Sequence, residues 1–486
     1  MKKISIDPIT RLEGHGRIEI FLNEEGNVAN AYLQIPELKG FEQFAIGRPV
    51  EEMPRITSRI CGVCPMAHHM ASTKTVDAVY GIKPTPTGEM IRKLVYNAYI
   101  FEDHVLHFFF LGGPDFVVTP GAPAGERNIL GVIAKVGLEI GGKVIEIRRK
   151  TRTIVQELFG RIIHPVGGLP GGVSKALTEE KRLEYLGWAK ETVEFSKMAI
   201  DIFNQVVLGN KAYVELVTGD IFKHETYYMG LVDKNNKVDF YDGDIRVVDP
   251  NGKEFAKFAP ADYLNHIAEH VESWSYMKFP FLKKIGWQGF NDGIDSSIYR
   301  VAPLSRLNVA DGMATPLAQA EYERMYDILG GKPTHFTLAF HWARLIEVMQ
   351  AAEQMVELLE NKAITDPKIR EIPTSIPTEG VGVTEAARGT LIHHYKTDAN
   401  GIMEEANLIV ATVNNSAAMS MSIAKAAKCL IKDGIVNDEI LNMVEMAFRP
   451  YDPCMACATH SFPGKTPLAV VVRSKDGELV KKLTRD

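Results

Sequence analysis

The chain has 486 residues, of which 45% are hydrophobic and 24% charged, with a net charge of -6. That length buries a large core, the composition is ordinary for a globular protein, and the mild acidity gives no reason to expect nucleic acid or an anionic membrane as a partner. The opening MKKISIDPIT has no apolar stretch of the kind a secretory signal needs, and no apolar run is long enough to span a bilayer. The expected compartment is therefore the cytoplasm, with any membrane attachment made through a partner.

In chain order, residues 17–34 alternate apolar and polar around a turn at Glu24 to Gly26, which predicts a β-hairpin. The stretches 88–111, 129–159, 178–207, 333–362 and 403–432 carry apolar residues at three- and four-residue spacing, which predicts long helices. Helices of that length pack side by side. Residues 225–258 alternate and carry turn signals, so a peripheral β excursion is expected there. Residues 277–316, rich in Gly, Pro and Asp, read as irregular loop. There is no internal repeat. The expected fold is mainly α (α+β), a long-helix bundle core with peripheral β-hairpins, forming one domain over 1–460. A C-terminal extension follows over 461–486, in which LAVVV and a turn at Lys475 to Gly477 suggest a further hairpin.

Five cysteines in a chain this long do not form a disulfide scaffold. Cys61 and Cys64 make one C-x-x-C pair near the N-terminus, and Cys454 and Cys457 make a second near the C-terminus. Cys429 stands alone in a helical stretch and is expected to be a buried structural thiol. Four thiolates suit a soft or borderline metal. A zinc ribbon closes its two pairs within a short module, because there the metal serves as the core. Here the pairs lie at opposite ends of the chain, which favours a catalytic transition-metal site over structural zinc, with an iron-sulfur cluster third.

The wording around the cysteines is specific. RICGVCPMAHH, with Cys61, Cys64, His68 and His69, resembles the N-terminal signature of [NiFe]-hydrogenase large subunits. DPCMACATH, with Cys454, Cys457 and His460, resembles their C-terminal signature. DPITRLEGHG, KGFEQFAIGRPVEEMPRIT, EDHVLHFFFLGGPDF, GRIIHPVGGLPGG and EAARGTLIHHY look like further family segments, in family order. The resemblance implies a nickel-iron centre for the heterolytic cleavage of dihydrogen. Cys61 and Cys454 would be terminal nickel ligands. Cys64 and Cys457 would bridge to an iron that carries two cyanides and one carbon monoxide. By the same carry-over, Glu13 would relay the proton from a terminal cysteine. Arg388 would sit above the open metal site, oriented by the carboxylates Asp103 and Asp452, and Thr412 would hydrogen-bond a cyanide. Glu42 and His460 would hold a second cation, magnesium or ferrous iron. His68, His104 and His107 are expected to be hydrogen-bonded support rather than ligands, and Phe108 to Phe110 core or interface.

The chain departs from the family at Ala387, where many relatives carry proline. Family precursors often carry a tail such as 461–486, which a maturation endopeptidase removes after the motif histidine. With no spare cysteine cluster and no dinucleotide-binding loop, the chain needs an iron-sulfur small subunit to carry electrons. The compact length resembles cytoplasmic multisubunit hydrogenases that serve heterodisulfide reductase, ferredoxin, a deazaflavin, or a flavin or NAD(P) module, and among them the F420-non-reducing kind. The rival readings are the non-catalytic quinone-site subunit of complex I, which shares the fold but lacks the four cysteines, and a hydrogen-sensing regulatory subunit.

Overall fold

The structure is a computed structural model, and it describes residues 2–460, 468–474 and 479–485. Its centre is a bundle of four long helices, Pro86–Leu106, Leu138–Phe159, Glu179–Phe203 and Phe340–Glu360. The last packs against the first and third, and the second packs against the first. Local chemistry starts these helices. The Thr85 and Thr178 hydroxyls accept from backbone amides of their first turns, and Pro86 takes a position whose missing N–H costs nothing. The Phe340–Glu360 helix is buried all round from Phe340 to Ala352. It can therefore hold polar residues only where partners await them.

The helical expectations hold for the bundle, with adjusted ends. Residues 129–159 form two helices broken at Gly137, whose φ is 94°. The 178–207 helix ends in a wider π turn at Asn204–Leu208, and Pro86–Leu106 runs into another at His107–Gly112. The 333–362 helix begins only at Phe340. Residues 403–432 are half misjudged: Met403–Ile409 is a strand, and the helix is Ser416–Leu430. A short apolar run fits both periodicities, and here a neighbouring strand settles the outcome. Cys429 is exposed on that helix rather than buried, because the last turn, from Lys428 on, runs out of the core that buries Ile423, Ala426 and Ala427.

Small sheets surround the bundle. The expected 17–34 hairpin pairs Arg17 with Gln34 and gains a third strand, Lys2–Ile6. The β excursion holds strands Tyr227–Val232, Asp244–Val248 and Glu254–Phe258. The stretch expected to be irregular carries the strand Lys278–Leu282 and the helix Pro303–Val309. A sheet unforeseen in the sequence joins Glu379–Ala386, Gly389–Thr397 and Met403–Ile409, and the helix Pro65–Val79 lies on it. In the extension, Leu468–Arg473 and Leu479–Arg485 pair antiparallel as the suggested hairpin requires. Its expected turn lies outside the described residues.

Ala387 and Arg388 form the two-residue tip between Glu379–Ala386 and Gly389–Thr397, with Ala386 paired to Gly389. Gly389 has φ 120°, and a Cβ there would come within 2.1 Å of Val301 Cγ2. Gly389 is thus pressed onto residues 301–302, and its position has no room for a side chain. Gly389→Ala is expected to lower stability by about 1–3 kcal/mol, read as a shift of the denaturant midpoint. An unmoved midpoint would show that the tip is not held as described.

Candidate metal centre

The two ends of the chain are joined by backbone. Residues 13 and 454 form a parallel bridge. Glu13 N donates to Pro453 O at 3.4 Å, and Met455 N donates to Glu13 O at 2.8 Å. The close approach needs Gly14 (φ 81°), since a Cβ there would come 2.5 Å from Ala456 N. This junction sets the second C-x-x-C pair against the first, which lies where residues 58–64 lead into the Pro65–Val79 helix.

All four cysteines are buried, and their sulfurs lie within 4.8 Å of one another. Cys61 Sγ is 3.3 Å from Cys454 Sγ, Cys64 Sγ is 3.5 Å from Cys457 Sγ, and Cys454 and Cys457 Sγ are 2.7 Å apart. Among the described residues this is the only gathering of three or more Cys, His, Asp or Glu ligand atoms. Burial pushes the Cys454 and Cys457 thiols well above the ordinary range. Four thiolates in so dry a place need a cation among them.

The surroundings are more than a staple requires. Cys454 Sγ–H donates to Glu13 Oε2 at 2.9 Å, which also accepts from Ala456 N at 3.1 Å. Glu13 is half-buried. Burial, with the charge on Cys61 adding, raises its pKa. Thr412 Oγ1 accepts from Cys454 N at 3.1 Å. Arg388 reaches Asp103 with two donors at 2.9 and 3.0 Å and Asp452 with one at 3.1 Å. Burial opposes its charge, but these carboxylates hold its pKa well above the usual value, and Cys64 and Cys454 are near enough to contribute. Arg388 Nε is buried with no hydrogen-bond partner. A donor left bare beside a cluster of sulfurs suits a site that holds a further group with acceptor atoms, and a tetrahedral structural zinc offers none. Burial pushes the Asp452 carboxyl up to about 6.

The remaining expected residues fall as follows. Glu42 and His460 meet through their backbones, Glu42 N donating to His460 O at 3.2 Å. Glu42 Oε1 accepts from Leu408 N at 2.8 Å, and His460 Nδ1 is buried without a partner. The histidines expected as support are hydrogen-bonded. His68 Nδ1 lies 3.2 Å from His393 Nε2, His104 Nε2 lies 2.8 Å from Glu347 Oε2, and His107 Nε2 donates to Arg449 O at 3.1 Å. Burial lowers the His68 and His104 pKa values to about 4, so both are neutral. Phe108 and Phe109 are core, and Phe110 lies under the Arg148 guanidinium. The sequence reading missed Arg344, Glu347 and Arg306, which are buried beside the site. The signal was available: in HWARLIE an arginine and a glutamate interrupt an otherwise apolar helix, and charges in such a helix need internal partners.

Comparison with known proteins agrees with this geometry. A family model described as nickel-dependent hydrogenase matches residues 39–128 and 216–460, and a HoxL-like model matches residues 3–38. An F420-non-reducing hydrogenase iron-sulfur subunit from Archaeoglobus profundus is 49% identical over 484 residues, which is 99% of each chain. The NAD-reducing hydrogenase HoxS subunit beta of Cupriavidus necator is 34% identical over the whole of both chains. The crystal structure of an NAD+-reducing [NiFe]-hydrogenase in the H2-reduced state superposes with a TM-score of 0.88 at 35% identity, covering 95% of this chain and 100% of that one. The four gathered thiols favour the catalytic reading over the non-catalytic one. The chain belongs to the nickel-dependent hydrogenase family as its large, catalytic subunit, an oxidoreductase that acts on dihydrogen.

Proposed function

We propose that Cys61, Cys64, Cys454 and Cys457 hold a nickel-iron centre, with Cys61 and Cys454 terminal on nickel and Cys64 and Cys457 bridging to an iron that carries two cyanides and one carbon monoxide. The observation that carries this reading is the closed set of four buried sulfurs, with the buried Arg388 guanidinium near enough to feel Cys64 and Cys454. When bound, such a centre supplies the electron sink for splitting dihydrogen heterolytically. The chain's own residues do the rest. Cys454 Sγ holds the proton and passes it to Glu13 Oε2, 2.9 Å away, and Glu13, half-buried, carries it outward. Arg388, clamped by Asp103 and Asp452, presents its free donor to the open side of the centre. Thr412, already bonded to the Cys454 amide, serves one cyanide. Glu42 and the bare His460 Nδ1 take a second cation, magnesium or ferrous iron, completed by backbone oxygen and water.

Electrons leave through an iron-sulfur small subunit. Four of the five cysteines are committed to the metal site and the fifth is isolated. Likeness to an F420-non-reducing relative and to an NAD-reducing one favours a multisubunit enzyme. In such an enzyme, heterodisulfide reductase, ferredoxin, or a flavin or NAD(P) module takes the electrons. Among the described residues no helix is long and apolar enough to cross a membrane, in keeping with a cytoplasmic site of action. A maturation endopeptidase is proposed to cut after His460. The new carboxylate would then lie buried beside the Glu42 cation, where it has the partner a buried charge needs. A retained structural hairpin is the second reading, favoured by the paired strands of 468–485.

Elemental analysis of the mature enzyme should give nickel and iron near equal amounts in this subunit, and infrared spectra should show cyanide and carbonyl stretches. Stoichiometric zinc without those bands would sink the assignment. Glu13→Gln keeps the shape but not the exchangeable acid, so both metals should stay while turnover falls by about 100- to 10,000-fold. Parent-like turnover would send the proton by another route. The intact mass of fully active enzyme should correspond to a chain ending at His460. A mass matching all 486 residues would establish the retained hairpin instead.

A further inference from the structure

The buried charge does not end at Asp452. Arg344, on the Phe340–Glu360 helix and 0% exposed, donates from Nη1 to Asp452 Oδ2 at 3.4 Å and from Nη2 to Pro450 O at 3.1 Å. It thus grips the turn that carries Asp452 by side chain and backbone together. Asp452 sits there in the left-handed region, φ 55° and ψ 56°, so the turn has little freedom to re-aim the carboxylate. Each Asp452 oxygen has its own guanidinium, Oδ1 facing Arg388 and Oδ2 facing Arg344. We propose that Arg344 is a positioning residue for dihydrogen turnover, holding Asp452 at the place from which it orients Arg388 over the sulfur cluster.

Arg344 is itself fixed by a chain of partners. Its Nη1 also donates to His104 Nδ1 at 2.8 Å. Arginine has only donors, so His104 Nδ1 must be bare, and its proton lies on Nε2, which donates to Glu347 Oε2 at 2.8 Å. Glu347 is locked in turn by Arg306, with two contacts of 2.6 Å. Water has no access to His104, Arg344, Glu347 or Arg306, so it cannot substitute for any link. Without Arg344, Asp452 Oδ2 is buried and unpaired, and Arg388 is left to the two-point grip of Asp103 and turns toward it. A lysine replaces the charge of Arg344 but not its fork of directed donors, which here serve three acceptors.

The inference rests on the reading of Arg388 as the donor above the metal, so Arg388→Lys is measured beside Arg344→Gln and Arg344→Lys, all in the assembled, metal-loaded enzyme. Arg344→Gln is expected to keep nickel and iron at parent levels while kcat falls about a hundredfold and KM for dihydrogen stays put. Arg344→Lys should recover about tenfold of that loss. The infrared bands of the iron's diatomic ligands should move the same way in Arg344→Gln and Arg388→Lys, because both displace one guanidinium. Parent-like kcat and unmoved bands in loaded Arg344→Gln would overturn the proposal. So would loss of both metals in Arg344→Lys as well as Arg344→Gln, which would make the residue structural only. If Arg388→Lys is itself fully active, the reading of Arg388 fails. If Arg388→Lys is inactive and Arg344→Gln active, only the present inference fails.

Discussion

The junction between Glu13 and residues 453–455 is the constraint on which the site depends. It joins segments whose cysteines stand 393 positions apart. Chain entropy is a small obstacle: each doubling of a loop adds only about 0.6 kcal/mol, and most of the intervening chain is ordered by its own core. The harder requirement is to bring four sulfurs, a carboxylate and a guanidinium out of water together. The junction does this in one step, because Glu13 is both a member of the bridge and the acceptor of the Cys454 thiol. Closing the backbone therefore sets the Glu13 carboxylate against the Cys454 thiol. Gly14 allows the two strands to come that near.

Behind the sulfurs the interior is organised by charge. Arg388, Arg344 and Arg306 are interleaved with Asp103, Asp452, Glu347 and Glu385. Such groups add little net stability compared with apolar packing, but removing one partner of a buried pair costs about 3–5 kcal/mol. The arrangement is consequently stiff, and it ties together the helices Pro86–Leu106, Pro303–Val309 and Phe340–Glu360, the tip at Arg388 and the turn at Asp452. Glu385 carries the tie on to the β excursion, accepting from Leu231 N at 2.9 Å. That excursion is remote in sequence from every cysteine, yet it braces the hairpin whose tip is Arg388.

What the sequence disclosed follows the range of each signal. The C-x-x-C pairs and the long amphipathic helices are local patterns, and each is legible where it stands. The sheet of 379–409 is not, because GVGVTEA and MEEANLI are short and acquire strand character from the Gly389–Thr397 strand that lies between them, with the Pro65–Val79 helix packed on GVGVTEA. Gly380 and Gly382 hint at it: a Cβ at either would lie 2.4 Å from the backbone of that helix, so the glycines mark a close helix-on-sheet contact rather than a loop. Cys429 misleads because an apolar helix reads as buried on all sides, whereas the last turn of this one leaves the core. Among the candidate site residues, those inside motifs are legible one by one. The links of Arg344 to His104 and Asp452 span 240 and 108 positions, and only the folded chain brings them together.

These parts give the centre two unlike sides. On the Arg388 side the carboxylates of Asp103 and Asp452 are sealed, at 0% and 2% exposure. The seven charged groups there number three arginines to four acids, so one acid is in excess. Burial accordingly pushes the Asp452 and Glu385 carboxyls up. A proton placed on that side would have nowhere to go, since the network has no opening to water and its histidines are held neutral by burial. Glu13 is half-buried, with one oxygen on the Cys454 thiol and its pKa raised by burial. The division of labour in the proposed reaction follows from this asymmetry. The dry side can orient and polarise but has no opening to water, and the half-wet side can exchange protons at Glu13. Heterolytic cleavage needs both, and the junction of the chain ends is where the two sides meet.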